Sequence, residues 1–161
     1  MPARVYVETS VISYLAARPS RDLIIAARQQ LTHVWWLRRR PQFEVFVSQL
    51  VVDEARAGDP EAASRRAERL EGVPLLDITP AAVGLARRLL EAVGLPAQAA
   101  ADALHIATAA SHGMEYLLTW NSAHIANAEY RPRVERTCRA YGFEPPVLCT
   151  PDELMGEEGH R

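Results

Sequence analysis

Glu8, Glu54, Asp102 and Asn121 stand where apolar runs, of the kind found in buried strands and helices, yield abruptly to a polar residue. The first follows Val5-Tyr6-Val7, the second Val51-Val52-Asp53, the third precedes Ala103-Leu104-His105-Ile106-Ala107, and the fourth follows Leu117-Leu118-Thr119-Trp120. Burying such groups among apolar neighbours is costly unless a cation or a polar partner is present. Their recurrence points to an acidic metal pocket, and so to a hydrolase acting on phosphodiesters. Neither His nor Cys stands at zinc-ligand spacing, so the chemistry favours a hard cation, Mg2+ or Mn2+. One or two such ions would serve an in-line displacement by a metal-activated water, and no covalent nucleophile is needed.

Each residue also has a bland reading. Taken singly, any of these acids is as readily a cap or a surface charge, and the weight lies on the joint pattern. Asp102 falls early in its helix, where the positive end of the macrodipole favours a carboxylate. His105 and Ile106 share its helical face, and His105 reads as a satisfied core histidine ahead of a group orienting a carboxylate. Of the adjacent Asp53 and Glu54, Asp53 is assigned to the surface. Thr9, Ser10 and Thr119 are candidate supporting hydroxyls, with Ser10 favoured as the cap of the helix that follows it. His124 is expected to pack or cap, and His33, His112 and His160 suggest nothing specific.

The elements that must position these groups alternate between strand and helix. Strands are expected at Arg4 to Val7, Phe43 to Ser48, Val73 to Ile78, Tyr116 to Thr119 and Val147-Leu148. Helices are expected from Ser10 to Ala17, as one long amphipathic segment from Arg21 to about Arg39 whose apolar face carries Leu23, Ile24, Ala27, Leu31, Val34 and Trp35, from Gln49 to Arg56, and from Glu61 to Leu70. Others should run from Thr79 to Val93, Gln98 to His112 and Glu129 to Tyr141. Such alternation implies an α/β fold with a mostly parallel sheet covered on both faces. Ligands then gather beyond the carboxyl ends of the strands, near the switch in strand order. Glu8 and Asn121 each follow a strand directly.

The 161 residues, 48% of them hydrophobic, suffice for one substantial core and are too few for two ordinary domains. Residues 1–155 are read as a single domain and 156–161 as a polar tail. The absence of a long apolar stretch or leader-like start points to a soluble, cytoplasmic protein with no membrane association. Cys138 and Cys149 are read as ordinary thiols. With a formal net charge of −2, the molecule as a whole does not attract a polyanion. All 18 basic residues are arginine, and they cluster at Arg38-Arg39-Arg40, Arg65-Arg66-Arg69, Arg87-Arg88 and along Arg131 to Arg139. Local phosphate contacts are therefore available. Trp35 is expected to face the core, and Trp36 is left open between the core, RNA stacking and contact with a partner.

At this point the chain resembles the PIN domain family, in particular VapC-type toxin ribonucleases of toxin–antitoxin systems. The matching segments are Tyr6 to Leu15, Val52-Asp53-Glu54 with Gly58-Asp59, Asp102 to Ala109, Leu118 to Ile125, and the closing Pro146 to Leu154. The resemblance implies a three-layer α/β/α sandwich of four to five strands and an RNA-cleaving acidic pocket loaded with Mg2+ or Mn2+. A homodimer and a small antitoxin partner are implied with it. By position, Glu8, Glu54 and Asp102 would be metal ligands, Asn121 would replace the usual fourth acid, and Thr9, Ser10 and Thr119 would support them. Glu8 stands where aspartate is usual, so its carboxylate sits one methylene further out. With Asn121 this motivates an alternative, a catalytically weak PIN-fold module that binds RNA or a protein. A phosphatase on a related scaffold fits poorly, since Glu8 is ill suited to an aspartate nucleophile's role.

Overall fold

The computed structural model describes residues 1–157, so residues 158–161 of the expected polar tail, His160 among them, lie outside the described residues. Five strands, β1 (Arg4–Val7), β2 (Glu44–Ser48), β3 (Leu75–Leu76), β4 (Tyr116–Leu118) and β5 (Val147–Cys149), form one sheet in the order β3-β2-β1-β4-β5. All four pairings are parallel. The central strand β1 carries Val5, Tyr6 and Val7 fully buried, the near-continuous apolar reading of a strand covered on both faces.

Seven α-helices are described: α1 (Thr9–Ala16), α2 (Leu23–Val34), α3 (Gln49–Ala55), α4 (Pro60–Leu70), α5 (Pro80–Val93), α6 (Ala100–Ser111) and α7 (Arg131–Ala140). The chain steps from β1 outward to β3 through α1 to α4, then returns to β4 and β5 through α5 to α7. Right-handed crossovers place helices connected by opposite steps on opposite faces. In agreement, α1 packs on α2, α3 and α4, while α5 packs on α6 and α7. The result is an α/β/α sandwich whose switch in strand order lies between β1 and β4.

Several boundaries depart from the sequence expectation. The third strand shortens from Val73–Ile78 to Leu75–Leu76 because Pro74 lies at the sheet edge and Leu75 is half exposed. The segment Arg21–Arg39 is not one amphipathic helix. It leaves α geometry after Val34 for a π-helical turn over Trp35–Arg39. Leu23 and Ile24, assigned to the core face, are exposed, whereas Gln29 and Thr32 are buried. Those two are buried because they are partnered. Gln29 bonds the Arg18 carbonyl and the Ser20 amide, and the Thr32 hydroxyl accepts from Trp120 Nε1 at 2.8 Å. Trp35 is fully buried and stacked on Phe43, and Trp36 is buried beneath the Arg40 guanidinium, so neither ring is free to stack a base.

Candidate active site

Glu8 is the residue immediately beyond β1, and its amide still pairs with the Leu118 carbonyl of β4 at 3.0 Å. Ser10, expected to cap α1, does not; Glu8 is the N-cap, its own side chain accepting from the Ser10 amide. The Glu8 carboxylate thus folds back over the start of the helix. Ser10 Oγ and Thr119 Oγ1 both donate to Glu8 Oε1 at 2.5 Å. Each hydroxyl has a single proton, and each accepts in turn from a backbone amide, Trp120 N on Ser10 and Asn121 N on Thr119. Two amides of the β4 exit are thereby relayed through hydroxyls onto one carboxylate oxygen. Thr9, Ser10 and Thr119 each donate to one of the two acids.

Glu54 reaches the same region from α3. Its Oε1 accepts from Thr9 Oγ1 at 2.5 Å and lies 2.6 Å from His105 Nε2 on α6. Burial pushes the Glu54 carboxyl upward, but the hydrogen bond and charge of His105, with the Thr9 hydroxyl, outweigh it and hold the group below the ordinary glutamate range. Asp53 is exposed and bonded to Gln49, as its surface assignment requires.

Ligand atoms from Glu8, Glu54 and His105 all lie within 4.8 Å of one another. Asp102 is outside that group. It sits in the first turn of α6, where Oδ1 accepts from Asn121 Nδ2 at 3.1 Å and Oδ2 lies 2.9 Å from His124 Nδ1. Asn121 Oδ1 accepts the His124 amide at 3.0 Å, which fixes the orientation of the Asn121 amide and turns its NH2 toward Asp102. The structure therefore brings Glu8 and Glu54 together, holds Asp102 with Asn121 and His124, and joins the two groups through the Thr119 to Asn121 backbone. In the place where three carboxylates were expected, His105 stands third.

The two histidines are what the sequence left least defined. His105 is indeed buried and satisfied, but its partner is a site carboxylate; His124 neither caps nor simply packs, since its ring pairs with Asp102. The available signal was Tyr6, a hydroxyl within a fully buried strand that must find a polar partner, and finds His105 Nδ1.

The donor set suits a hard cation: two carboxylates converge, and Glu54 Oε2 receives no hydrogen bond among the described residues. A cleft of about 520 Å3 opens beside α2 against Trp120 and Ser122, and none of the three acids lines it.

A family model described as PIN domain matches residues 5–129, which span all the site residues from Glu8 to His124. The chain belongs to the PIN domain family. Members are generally metal-dependent nucleases, and the Glu8, Glu54 and His105 cluster is a possible metal site of the kind that activity requires. Among curated proteins, none matches this chain in sequence. No described helix is long and apolar enough to cross a membrane.

Proposed function

We propose that the protein is a Mg2+- or Mn2+-dependent endoribonuclease of VapC type, the toxin of a toxin–antitoxin pair. The observation that supports the reading best is the meeting of the Glu8 and Glu54 carboxylates beyond the carboxyl ends of the strands, at the switch point of a PIN fold. Glu8 and Glu54 would hold the ion, with Asp102 as the third acid; magnesium takes only one or two carboxylates directly and keeps several waters for a further acid to bind. Bound there, the ion would lower the pKa of a water and stabilise charge on the phosphate.

The chain's own residues fix the acids in advance. Thr9 holds Glu54, Ser10 and Thr119 hold Glu8, and Asn121 with His124 holds Asp102. Such prior ordering means that no reorganisation is needed when substrate arrives. A homodimer, a small antitoxin and a cytoplasmic location complete the reading. They rest on the likeness to VapC toxins carried by Tyr6 to Leu15 and Leu118 to Ile125.

The test is cleavage of varied RNAs by the purified protein with Mg2+, with Mn2+ and with EDTA, alongside Glu54→Gln and Asp102→Asn. Metal-dependent cleavage that survives either substitution would sink the assigned mechanism. A second reading, a weak or inactive PIN module that binds RNA or protein, is favoured by one observation: Glu8 already receives three protein donors, which compete with an ion for its lone pairs. RNA binding without cleavage in either metal would select it. Co-purification with the product of an adjacent short reading frame tests the toxin assignment separately.

A further inference from the structure

We propose that Ser48, Tyr6 and His105 form a buried hydrogen-bond chain that positions the Glu54 carboxylate, with the His105 Nε2–H as its donor. His105 is then a donor to Glu54 and not a ligand to a cation, although its ring lies among the atoms that could surround one.

The donor follows from counting protons. His105 Nε2 lies 2.6 Å from Glu54 Oε1, a carboxylate oxygen that can only accept, so Nε2 carries hydrogen. On the other side of the ring, Nδ1 lies 2.7 Å from the Tyr6 hydroxyl. The Tyr6 oxygen in turn lies 2.7 Å from Ser48 Oγ. The opposite tautomer would set the Nε2 lone pair against the carboxylate at hydrogen-bond distance.

Tyr6, Ser48 and His105 are all fully buried, on β1, β2 and α6. The chain thus ties Glu54, a partly exposed residue of a seven-residue helix, to the two central strands and to α6 on the far face of the sheet. Thr9 adds a second donor to the same oxygen, so Oε1 is committed to the protein and Oε2 is left for a ligand. Outer partners of this kind orient a metal-binding carboxylate, and losing one typically costs 10- to 100-fold in metal affinity or activity. The link to catalysis rests on the nuclease reading; the Nε2 proton and the positioning of Glu54 do not.

The decisive measurement is long-range 1H–15N spectroscopy of 15N-histidine protein, first metal-free and then with Mg2+ alone. A pyrrole-like Nε2 on His105, unchanged by Mg2+, is the expected result. An Nε2 without a proton in the metal-free protein, or one that loses its pyrrole character as Mg2+ is added, would overturn the proposal. Mg2+ affinity, followed through the Ser10 and Asn121 amide shifts, should remain close to wild type in His105→Gln, which keeps an N–H within reach of Glu54. In His105→Leu it should fall roughly 10- to 100-fold; equal affinities in the two variants would also overturn the proposal. If His105→Leu does not fold, the wild-type Nε2 signal and His105→Gln decide. If the spectra and affinities come out as expected and no RNA is cleaved, the nuclease reading fails and the positioning role stands; cleavage with an unprotonated Nε2 gives the converse.

Discussion

Asn121 Nδ2 donates to Asp102 Oδ1 at 3.1 Å, so the neutral amide that stands in place of a fourth acid is the hydrogen-bond partner of the third. Asn121→Asp would remove that donor and set a second carboxylate against Asp102. A hydrogen bond to a charged group contributes about 1.5–3 kcal/mol, and a chain of this size loses roughly 2–4 °C in melting temperature per kcal/mol. In EDTA the variant should therefore melt about 3–12 °C below wild type. Added Mn2+ should raise its midpoint more than that of wild type, because a cation relieves the repulsion. Calorimetry with and without Mn2+ checks both, and equal stability in EDTA would show that the amide is idle.

Glu8 should matter for folding even when no metal is present. Glu8→Ala leaves the Ser10 amide and the Ser10 and Thr119 hydroxyls without their acceptor and strips α1 of its cap. Loss of an N-cap costs about 1 kcal/mol and a buried unsatisfied donor about 1–3 kcal/mol, so a loss of about 2–4 kcal/mol is expected. Glu8→Gln, which keeps one acceptor oxygen, should fall between. Urea unfolding at neutral pH in EDTA measures this. An unchanged midpoint for Glu8→Ala would mean that the carboxylate only waits for a ligand.

Acid should weaken the protein partly through Glu54. Its folded carboxyl is held below the ordinary range, against burial, by His105 and Thr9. The unfolded state therefore takes up the proton first as pH falls. Stability from this group is fully present above the ordinary glutamate value and is lost as pH drops through the depressed folded value. In metal-free protein, wild type should exceed Glu54→Gln in stability near neutrality, with the gap closing under acid. A gap that is constant with pH would remove Glu54 as the source. Because the Glu54 side chain is about a third exposed, solvent screening limits the size of the effect.

How far the sequence could be read depended on what each residue had to satisfy. The parallel sheet was legible because Val5, Tyr6 and Val7 of β1 and Leu117 and Leu118 of β4 form short apolar runs between helical segments, and the acids were legible because each interrupts such a run. Start and stop signals also held: Thr79 caps α5 with Pro80 behind it, and Gly94 closes that helix in the left-handed region at φ 78°. The failures concern side chains whose partner lies far along the chain. Nothing near Thr32 announces Trp120, 88 residues on, and nothing near Asp102 announces that Asn121 and His124 will occupy its oxygens. Periodicity reports which face is apolar; it does not report which polar group is buried because it has found a partner. For that reason α2 was assigned a core face that included Leu23 and Ile24 and left out Gln29 and Thr32.

The two thiols give a prediction that does not depend on the acidic site. Cys138 and Cys149 are free and buried, and burial pushes their thiols up to about 11 and about 12. The thiolate is the reactive species, so in the native protein both should resist a water-soluble thiol reagent at neutral pH, and both should react at once in urea. The same displacement makes stability fall with alkali: above roughly pH 8.5 the unfolded thiols ionise while the folded ones keep their protons, and the unfolded state gains. The loss should begin there and level off only above the folded values. Cys149→Ala, whose gap to the unfolded value is the wider, should flatten the alkaline limb more than Cys138→Ala. Rapid native labelling of Cys149 would show that β5 opens locally without global unfolding, since Leu148 and Cys149 are both buried against the sheet.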